Sequence, residues 1–545
     1  MKNLNRSVFV LITTFLVTAE LAYGTQPPDV VASDGNQNTA MGTAALESLT
    51  SGIQNTASGA NALALNTTGS QNSASGEGAL SANTTGGGNT ASGYGALHSN
   101  TTGYNNTAFG VDALQSNTTG CCNTATGLNA LFSNTIGSNN TAIGFSALYA
   151  NTSGDNNTAF GIVALYSNTT GTYNSAAGYG ALYSNTTGTY NTAFGVQALQ
   201  FNTTGSSNTA TGEFALIQNT TGYNNSAFGA GALQSNTTGY ENSASGSLAL
   251  WLNTTGFRNT ASGYSALFSN STGVSNTASG YEALYANTTG SSNTATGLNA
   301  LLSNTTANGN TATGVGALKL NTTGENNLAE GYQAGHSLTT GSNNIVEGYQ
   351  AGYNLTTGSN NIDIGNKGVA ADGVAADSGV IRIGTSLPTP LQKATYIAGI
   401  YGVSVSGSPV YIASNGQLGT VVSSERFKTA ITPMGSNSAK LEQLRPVTFK
   451  LKSDAKGTRQ YGLIAEEVAK VYPELVIRDQ TGRIDGVRYD ELAPMLLNEM
   501  QKRNAAQDAE IRSLKQQVAE LNDLKQELHA ALLKLRATDE FVAQR

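Results

Sequence analysis

The sequence has little cysteine and, over most of its length, almost no positive charge. Its only two cysteines, Cys121 and Cys122, are adjacent. Adjacent cysteines bridge only with strain and cannot form a disulfide framework, so disulfides do not hold this chain together. Within residues 38–365 the only basic residues are Arg258 and Lys319. No basic surface over that length could neutralise phosphates, which argues against a nucleic-acid partner.

Long apolar runs are absent after the N-terminus. There, the run "SVFVLITTFLV" follows Lys2 and Arg6, and "AYG" at 22–24 supplies small residues for cleavage. This is the pattern of an export signal, and the run is short for a bilayer span. We predict a signal peptide at 1–24, a linker at 25–37, and no membrane span in the mature chain.

Charge is scarce at 11% of residues, whereas glycine is abundant at 64. Such a composition fits either a disordered chain or a polar repeat structure. The segment "NTASGYGALHSNTTGYN" (89–105) is followed by "NTAFGVDALQSNTTGCC" (106–122), and Asn recurs at every seventeenth position from Asn38 to Asn361, giving 20 unit starts without an insertion or deletion. A disordered tract has no reason to keep this register. It predicts a stack of equivalent coils over 38–365.

The chemistry of the unit predicts the shape of the coil. "NTAxG" alternates as a short strand does, "xxAL" adds one apolar pair, and "NTTG" is expected to be a turn whose Gly takes a positive φ. Asn at the first position, and again eleven residues on, is expected to stack in ladders from coil to coil. Helical repeats are excluded because Gly, Asn and Thr are poor helix formers and the unit is too short for a helix pair. The sequence therefore predicts a parallel β-roll or β-solenoid.

The repeats offer three functional interpretations. Calcium binding needs an Asp at a fixed position, which the unit lacks. Ice binding through the Thr residues of "NTTG" is disfavoured because these residues fall at a predicted turn. Adhesion or spacing, with a glycan or protein surface ligand, remains the default. No metal ion and no cofactor is predicted.

The "N-[ST]-A-x-G" core of the unit resembles the head repeats of trimeric autotransporter adhesins, which implies a trimeric surface fibre. The unit here is longer than in those heads, and their C-terminal membrane barrel is absent. Residues 366–422 follow as β-rich sequence such as "GVIRIGT" and "ATYIAGIYGVSV", which predicts a neck of short strands.

From residue 423 the composition changes, because 20 of the 27 Lys and Arg residues lie beyond 422. Pro446 introduces a predicted strand. "QYGLIAEEVAKVYPELVIRD" (460–479) predicts a strand, a helix ending near Tyr472 and another strand. "TGRIDGVRYDELAPMLLNEM" (481–500) predicts a turn, a strand and the start of a helix.

The last segment, 506–545, continues this helix with a heptad pattern. Its a and d positions are apolar except for Lys525, and they are occupied by Ile511, Leu514, Val518, Leu521, Leu528, Leu532 and Leu535. The pattern favours an oligomeric coiled coil over a helix packed on its own domain, because no apolar partner helix is predicted elsewhere in the chain.

Four motifs, "SSERFKTAI", "LRPVTFKLK", "YGLIAEEVAKVYPELV" and "VRYDELAPMLLNEMQ", together resemble the C-terminal intramolecular chaperone of phage tailspikes, endosialidases and tail fibres. The resemblance covers 423–505 and implies a homotrimer that cuts itself with a serine–lysine dyad. Carried over, Ser423 is the nucleophile and Lys428 the base, while Ser424 stands where many members have Asp.

Two questions about this site stay open at the level of sequence. The cut bond flanks Ser423: direct attack on the preceding carbonyl favours Val422–Ser423, and Ser423–Ser424 is the alternative. Arg426 and Glu466 are candidates for supporting roles, since one is close in sequence and the other belongs to the matching motif. A lysine acts as base only when it is neutral, which needs burial or cationic neighbours.

The predicted protein is mainly β, with a long parallel β-roll, a β-rich neck and a small α+β chaperone domain that ends in a trimeric coiled coil. We predict an exported, trimeric surface or extracellular fibre that is a single-turnover peptidase acting on itself. The alternative is a prophage tail fibre or tailspike that binds a host surface. A polysaccharide-degrading spike is disfavoured because no paired carboxylates stand out in the repeats.

Overall fold

The computed structural model describes residues 32–366, 376–384, 410–412, 418–419, 423–452, 457–479 and 481–542. The predicted signal peptide, most of the linker and most of the neck lie outside these residues. The chain divides into two compact units, of which one contains the repeats and the other the region from residue 418 onwards.

The repeats form a parallel β-solenoid with one coil per repeat unit, as predicted. Each strand pairs in parallel with the strand of the next unit, so that Ala91 lies opposite Ala108 and Ala108 opposite Ala125. The parallel strands are Thr39–Met41, Thr56–Ser58, Ser73–Ser75, Thr90–Ser92, Thr107–Phe109, Thr124–Thr126, Thr141–Ile143, Thr158–Phe160, Ser175–Ala177, Thr192–Phe194, Thr209–Thr211, Ser226–Phe228, Ser243–Ser245, Thr260–Ser262, Thr277–Ser279, Thr294–Thr296, Thr311–Thr313, Leu328–Glu330, Ile345–Glu347, Ile362–Ile364 and Ile381–Ile383.

The interior of the solenoid is narrow and is filled by small side chains and two asparagine ladders. In a typical coil Ala108, Ala113 and Leu114 are fully buried. The buried amide of Asn117 donates to the Asn100 side-chain oxygen at 2.8 Å and to the Gly120 carbonyl at 2.9 Å. Because nearly every rung repeats these bonds, a polar interior keeps its donors and acceptors paired.

The prediction for the glycine of "NTTG" is wrong, because left-handed backbone occurs elsewhere in the coil. Glycine recurs in that motif for reasons of space: a Cβ added at Gly103 would lie 2.5 Å from the Gly120 carbonyl oxygen. The positive φ belongs instead to the glycine of "NTAxG", such as Gly110 at 133°, and to the buried Leu114 at 54°. A left-handed leucine is locally unfavourable. It is held by burial and by the bond from its N–H to the Ala130 carbonyl, 3.0 Å.

The ends of the solenoid depart from the repeat in a compensating way. In the last two full units the buried leucine moves three residues along the coil, to Leu338 and Leu355, and glycine takes its former place at Gly335 and Gly352. Leu338 and Leu355 occupy the position that Asn117 has in its own unit. The asparagine ladder to which Asn117 belongs therefore gains no further amide at the end of the stack. The next coil ends at an ion pair in which Arg382 contacts Asp377 at 2.7 Å and the buried Asp363 at 3.4 Å.

Among the described residues, one strand lies before the first repeat unit, and three strands lie between the last unit and residue 423 and do not follow the 17-residue spacing. Ala32–Ser33 pairs antiparallel with the first repeat strand, within the predicted linker. Ile381–Ile383 adds a parallel strand beyond the predicted boundary at 365, and Ile381 lies opposite Ile362, outside the 17-residue spacing of the repeats. Two short strands, Tyr411–Ile412 and Leu418–Gly419, lie in the predicted neck.

The strands and helices predicted for the C-terminal unit are present. The strands are Val447–Phe449, Gln460–Gly462, Val476–Arg478 and Ile484–Val487, and the helices are Ala465–Val471, called the short helix below, and Tyr489–Val542. Four short 3-10 turns that the sequence does not predict occur at Glu425–Phe427, Gly435–Ser438, Leu441–Gln443 and Pro473–Leu475. The strands pair antiparallel in two hairpin-like sheets. A small core packs the second of these sheets against the two helices, and it is made of Val468, Tyr472, Leu475, Val476, Val487 and Met495.

The helix Tyr489–Val542, called the long helix below, leaves its heptad positions exposed. Leu514, Leu521 and Leu528 are 52%, 64% and 62% exposed. The helix is therefore present as predicted, while the coiled coil itself stays a prediction that the single chain does not test.

Candidate functional site

A single tight turn brings Ser423 and Lys428 together. The chain is extended at Ser424, forms a 3-10 turn over Glu425–Phe427 and is extended again at Lys428. The turn is closed by bonds from the Phe427 N–H to the Ser424 carbonyl and from the Lys428 N–H to the Glu425 carbonyl, both 3.0 Å. The Lys428 ammonium then donates to the Ser423 hydroxyl oxygen at 3.2 Å.

The other residues predicted around this pair have different surroundings. Ser424 caps the turn through its carbonyl and makes no side-chain capping bond. The guanidinium of Arg426 lies 4.6 Å from the centre of the Phe427 ring, so its contact is a cation–π stack beside the turn. Val422 lies outside the described residues.

An open cleft of about 780 Å³ has Ser423 and Lys428 on its wall. The opposite sides come from the end of the short helix, at Val471 and Tyr472, and from the start of the long helix, at Pro494 and Met495. Carboxylates line the same cleft, namely those of Glu474, Asp490 and Glu491. The cleft therefore has room for a segment of polypeptide beside the serine and lysine.

The segment that follows the turn is fixed by polar contacts to the long helix and to Tyr472. The fully buried Ser438 hydroxyl donates to the Glu499 carboxylate at 2.6 Å, and the Asn498 amide donates to the Gly435 carbonyl at 2.9 Å. The Lys440 N–H donates to the Tyr472 hydroxyl oxygen at 2.9 Å. These bonds hold one wall of the cleft against the other.

Of the two adjacent glutamates on the short helix, the second has the defined partner. Glu466 is exposed and is not among the residues that line the cleft. Glu467 pairs with Arg445 at 2.6 Å, and this hydrogen bond lowers the pKa of the Glu467 carboxyl. The supporting role of Glu466 stays a prediction, and the Arg445–Glu467 pair was not predicted because the two partners lie on separate segments that no local pattern links.

The pair has the contact that serine–lysine chemistry needs but not the dry surroundings. Ser423 and Lys428 are both exposed in the single chain. A lysine accepts a proton from serine only when it is neutral, and exposure to water favours the charged ammonium. Activation would therefore need a further element that covers the turn.

The described residues lack the features of two other kinds of site. No group of three His, Cys, Asp or Glu side chains in these ranges is arranged to hold a metal ion. None of the described helices combines the length and apolar character that a bilayer crossing requires.

Comparison with known proteins identifies a family similarity in the C-terminal unit. Residues 423–477 match the family model described as the chaperone of endosialidase, a family of self-cleaving intramolecular chaperones. The match begins at Ser423 and includes three of the four motifs quoted above, while the fourth lies beyond its end. No curated protein and no solved structure matches the chain. A parallel β-solenoid of 17-residue repeats followed by a C-terminal match to the chaperone of endosialidase suggests a tail fibre-like or tailspike-like protein.

Proposed function

We propose that this chain is an exported, homotrimeric fibre protein whose C-terminal region directs registered assembly and then cuts itself off at Ser423. The observation that carries the proposal is the 3.2 Å contact between Lys428 and Ser423, at the first residue of the matched family region. Ser423 is the nucleophile and Lys428 the base. The reaction occurs once per chain, so the protein is a peptidase only toward itself.

The chemistry favours the bond before Ser423. When the Ser423 hydroxyl attacks the Val422 carbonyl carbon, a five-membered ring forms, and the amide nitrogen of Ser423 leaves as an ester replaces the peptide bond. Lys428 takes the hydroxyl proton and returns it to the leaving nitrogen, and water then hydrolyses the ester. Attack on the serine's own carbonyl would need a strained four-membered ring, so Ser423–Ser424 is the weaker candidate.

Assembly supplies the desolvation that the single chain lacks. The long helix exposes an apolar heptad face that only Lys525 interrupts, and three such helices would bury it against one another as a coiled coil. Neighbouring copies would then cover the exposed turn that carries Ser423 and Lys428. Cleavage is thereby coupled to assembly, because the lysine becomes a competent base only in the oligomer.

The repeats give the C-terminal region its purpose. Twenty nearly identical units can pair with a partner shifted by one whole unit at almost the same energy, both within and between chains. A coiled coil that gathers three chains at one end raises their local concentration and fixes their register. Removing it afterwards makes the assembled state hard to reverse, which is kinetic stability.

A tail fibre or tailspike that binds a host surface is the second candidate. The arrangement of solenoid and chaperone region supports it equally well, and the two differ in how the protein leaves the cell. The N-terminal pattern at 1–24 favours export through a cleaved signal peptide. N-terminal sequencing of the protein recovered from its native source separates them, since a mature chain starting at Thr25 would exclude the tail fibre.

The assembly role is tested by comparing three versions of the chain that differ only after residue 422. They are the wild type, the uncut variant Ser423→Ala, and a chain that ends at residue 422 from the start. We expect light scattering to show trimers for the first two and monomers or aggregates for the third. Formation of the same trimer by the truncated chain would contradict the chaperone role.

The dyad is tested separately on denaturing gels. Ser423→Ala and Lys428→Ala should each leave a single full-length band, whereas the wild type yields two fragments. Ser424→Ala is the matched control, because it alters the neighbouring hydroxyl, and it should cut like the wild type. Cutting by Lys428→Ala at an unchanged rate would remove lysine from the mechanism.

A further inference from the structure

One line of side chains on the solenoid stays both apolar and exposed over long continuous runs. It is formed by the residue directly after the glycine of "NTAxG" in successive coils. Two runs of it, called the apolar stripe below, consist of Tyr94, Val111, Leu128, Phe145, Ile162, Tyr179 and Val196, and of Tyr264, Tyr281, Leu298, Val315, Tyr332 and Tyr349. Glu213, Ala230 and Ser247 separate the two runs. The outward position before that glycine has no such continuity, since it changes between polar and apolar residues from coil to coil.

The stripe differs from another aromatic ladder of the solenoid in its exposure. Phe132, Tyr149, Tyr166 and Tyr183 also stack from coil to coil, with ring centroids 5.1 Å apart, but they lie half-buried against the coil. Members of the stripe expose between 38% and 65% of their surface. The coil therefore leaves much of each of these side chains uncovered.

The exposed area is large enough for a stable protein interface. From their exposed fractions, the side chains of the stripe present on the order of 1,000 Å² per chain, against ~800 Å² per partner in a standard interface. A contiguous apolar surface above a few hundred Å² is uncommon on a monomer and marks an interaction site. The area therefore indicates a partner along much of the solenoid.

The geometry of the rings disfavours a sugar chain as this partner. Tyr264 and Tyr281 stack with centroids 5.3 Å apart and planes 17° apart, and Tyr332 stacks on Tyr349 at 5.3 Å and 9°. Their faces cover one another, whereas a sugar ring packs on a free aromatic face. A membrane or an acidic polymer is disfavoured as well, since the repeats carry almost no positive charge.

A second copy of the same chain fits the stripe in both spacing and composition. Its side chains recur once per coil, at the ~4.8 Å separation of paired strands. A parallel copy in the same register repeats this spacing along the whole contact, so that each apolar side chain meets an equivalent one. The polar gap at Glu213, Ala230 and Ser247 falls at the same height in both copies.

We propose that the apolar stripe is the surface through which the solenoids of neighbouring copies pack in parallel and in register. The inference rests on the proposed trimeric assembly and assigns the face that the solenoid uses in it. Burial of the stripe adds apolar area to a solenoid whose own interior is narrow. The stability of the contact also depends on the register between chains, because a shift would place the polar gap of one chain against apolar side chains of the other.

The test uses single cysteines in the full-length Cys121→Ser/Cys122→Ser background. Leu128→Cys and Val111→Cys place a thiol on the stripe in adjacent coils, and Thr119→Cys places one on a turn away from it. After mild oxidation, non-reducing gels should show chains linked in pairs through each stripe cysteine, with more than half of the chains linked. Thr119→Cys should give less than a tenth of that yield.

Light scattering on the same samples separates this inference from the assembly on which it rests. A trimer in which the stripe cysteines do not link, or link no more than Thr119→Cys does, would overturn the stripe as the interface and leave the proposed assembly standing. A monomer would overturn both. Linkage of Leu128→Cys to itself but not to Val111→Cys in mixed samples would support the parallel, in-register arrangement.

Discussion

The two units of this protein differ in how far they bury their large apolar side chains. In the solenoid the large apolar side chains of the interior, such as Leu114, are fully buried, and the buried amides are paired from coil to coil. In the C-terminal unit the long helix exposes most of its leucines, and many contacts are surface ion pairs. The solenoid buries its interior side chains within one chain. The C-terminal unit instead exposes an apolar helix face, which is the kind of surface that marks an interaction site.

This contrast explains why cleavage would leave a durable product. A repeat structure is stabilised by its own units and their neighbours, so it does not need the C-terminal unit once the register is correct. Surface ion pairs contribute little to stability. Loss of the C-terminal unit would therefore cost the finished solenoid little.

The largest effect is expected where backbones of successive coils touch. Gly110→Ala adds a Cβ 2.5 Å from the Gly127 carbonyl oxygen at a residue with φ near 133°, a region open almost only to glycine. In the uncut Ser423→Ala background, we expect a loss of at least about 3 kcal/mol in the unfolding free energy of the solenoid. The measurement is denaturant unfolding followed by circular dichroism.

Gly482→Ala in the C-terminal unit is the matched control. Gly482 also has a positive φ, 84°, but open space surrounds the added methyl group. The cost should be about 1 kcal/mol. Equal losses at the two glycines would show that contact between coils is not what limits the solenoid.

A smaller effect is expected from a buried amide of the ladder. Asn117→Ala removes the acceptor of the Asn134 amide and the donor to Asn100. Leaving buried polar groups unpaired on two coils should cost about 2 kcal/mol. Thermal unfolding of the uncut chain measures this loss.

The corresponding asparagine of the C-terminal unit gives the comparison. Asn498 bonds to Gly435 and Ser438 at a partly exposed position, where water can replace it. We expect Asn498→Ala to cost about 1 kcal/mol. A larger loss at Asn498 than at Asn117 would contradict the view that the ladder carries the polar stability of the molecule.

The smallest effect is a pH dependence confined to the C-terminal unit. Hydrogen bonds from Thr481 and Arg483 lower the pKa of Asp479 from 3.8 to about 2. A carboxyl with a lowered pKa stabilises the fold above its unfolded pKa, and this contribution is lost as the pH falls through the folded pKa. The stability difference between wild type and Asp479→Asn should therefore shrink between pH 5 and pH 2, in acid titrations that follow the C-terminal unit of the uncut chain. A difference that stays constant with pH would exclude Asp479 as its source.

The sequence predicts most of the solenoid because its information is periodic. The repeat register, the strand at "NTAxG" and both asparagine ladders follow from residues that recur in nearly every unit. The left-handed leucines could not be predicted, since local preference opposes them and only burial between coils imposes them. The positive φ predicted for the glycine of "NTTG" was wrong for a related reason. Glycine is required there because the backbone of the next coil leaves no room for a Cβ atom.

The candidate site in the C-terminal unit also contains some residues that the sequence predicts and others that it does not. Ser423 and Lys428 are close in sequence, so a single turn suffices to join them, and sequence could place both. The carboxylates of Glu474 and Asp490 reach the cleft from separate elements, and no local pattern links them to the turn. Contacts between distant segments depend on tertiary packing. The spacing of residues in a single sequence does not reveal them.

The most direct test of the account is the intact mass of the denatured polypeptides from the assembled wild-type protein. When the whole sample is analysed before any released fragment is separated, we predict two chains in equal amounts, one ending at Val422 and one beginning at Ser423. Ser423→Ala and Lys428→Ala should give only the uncut mass. A folded, trimeric wild type that shows only the uncut mass would contradict self-cleavage, and a fragment beginning at Ser424 would contradict attack on the Val422 carbonyl.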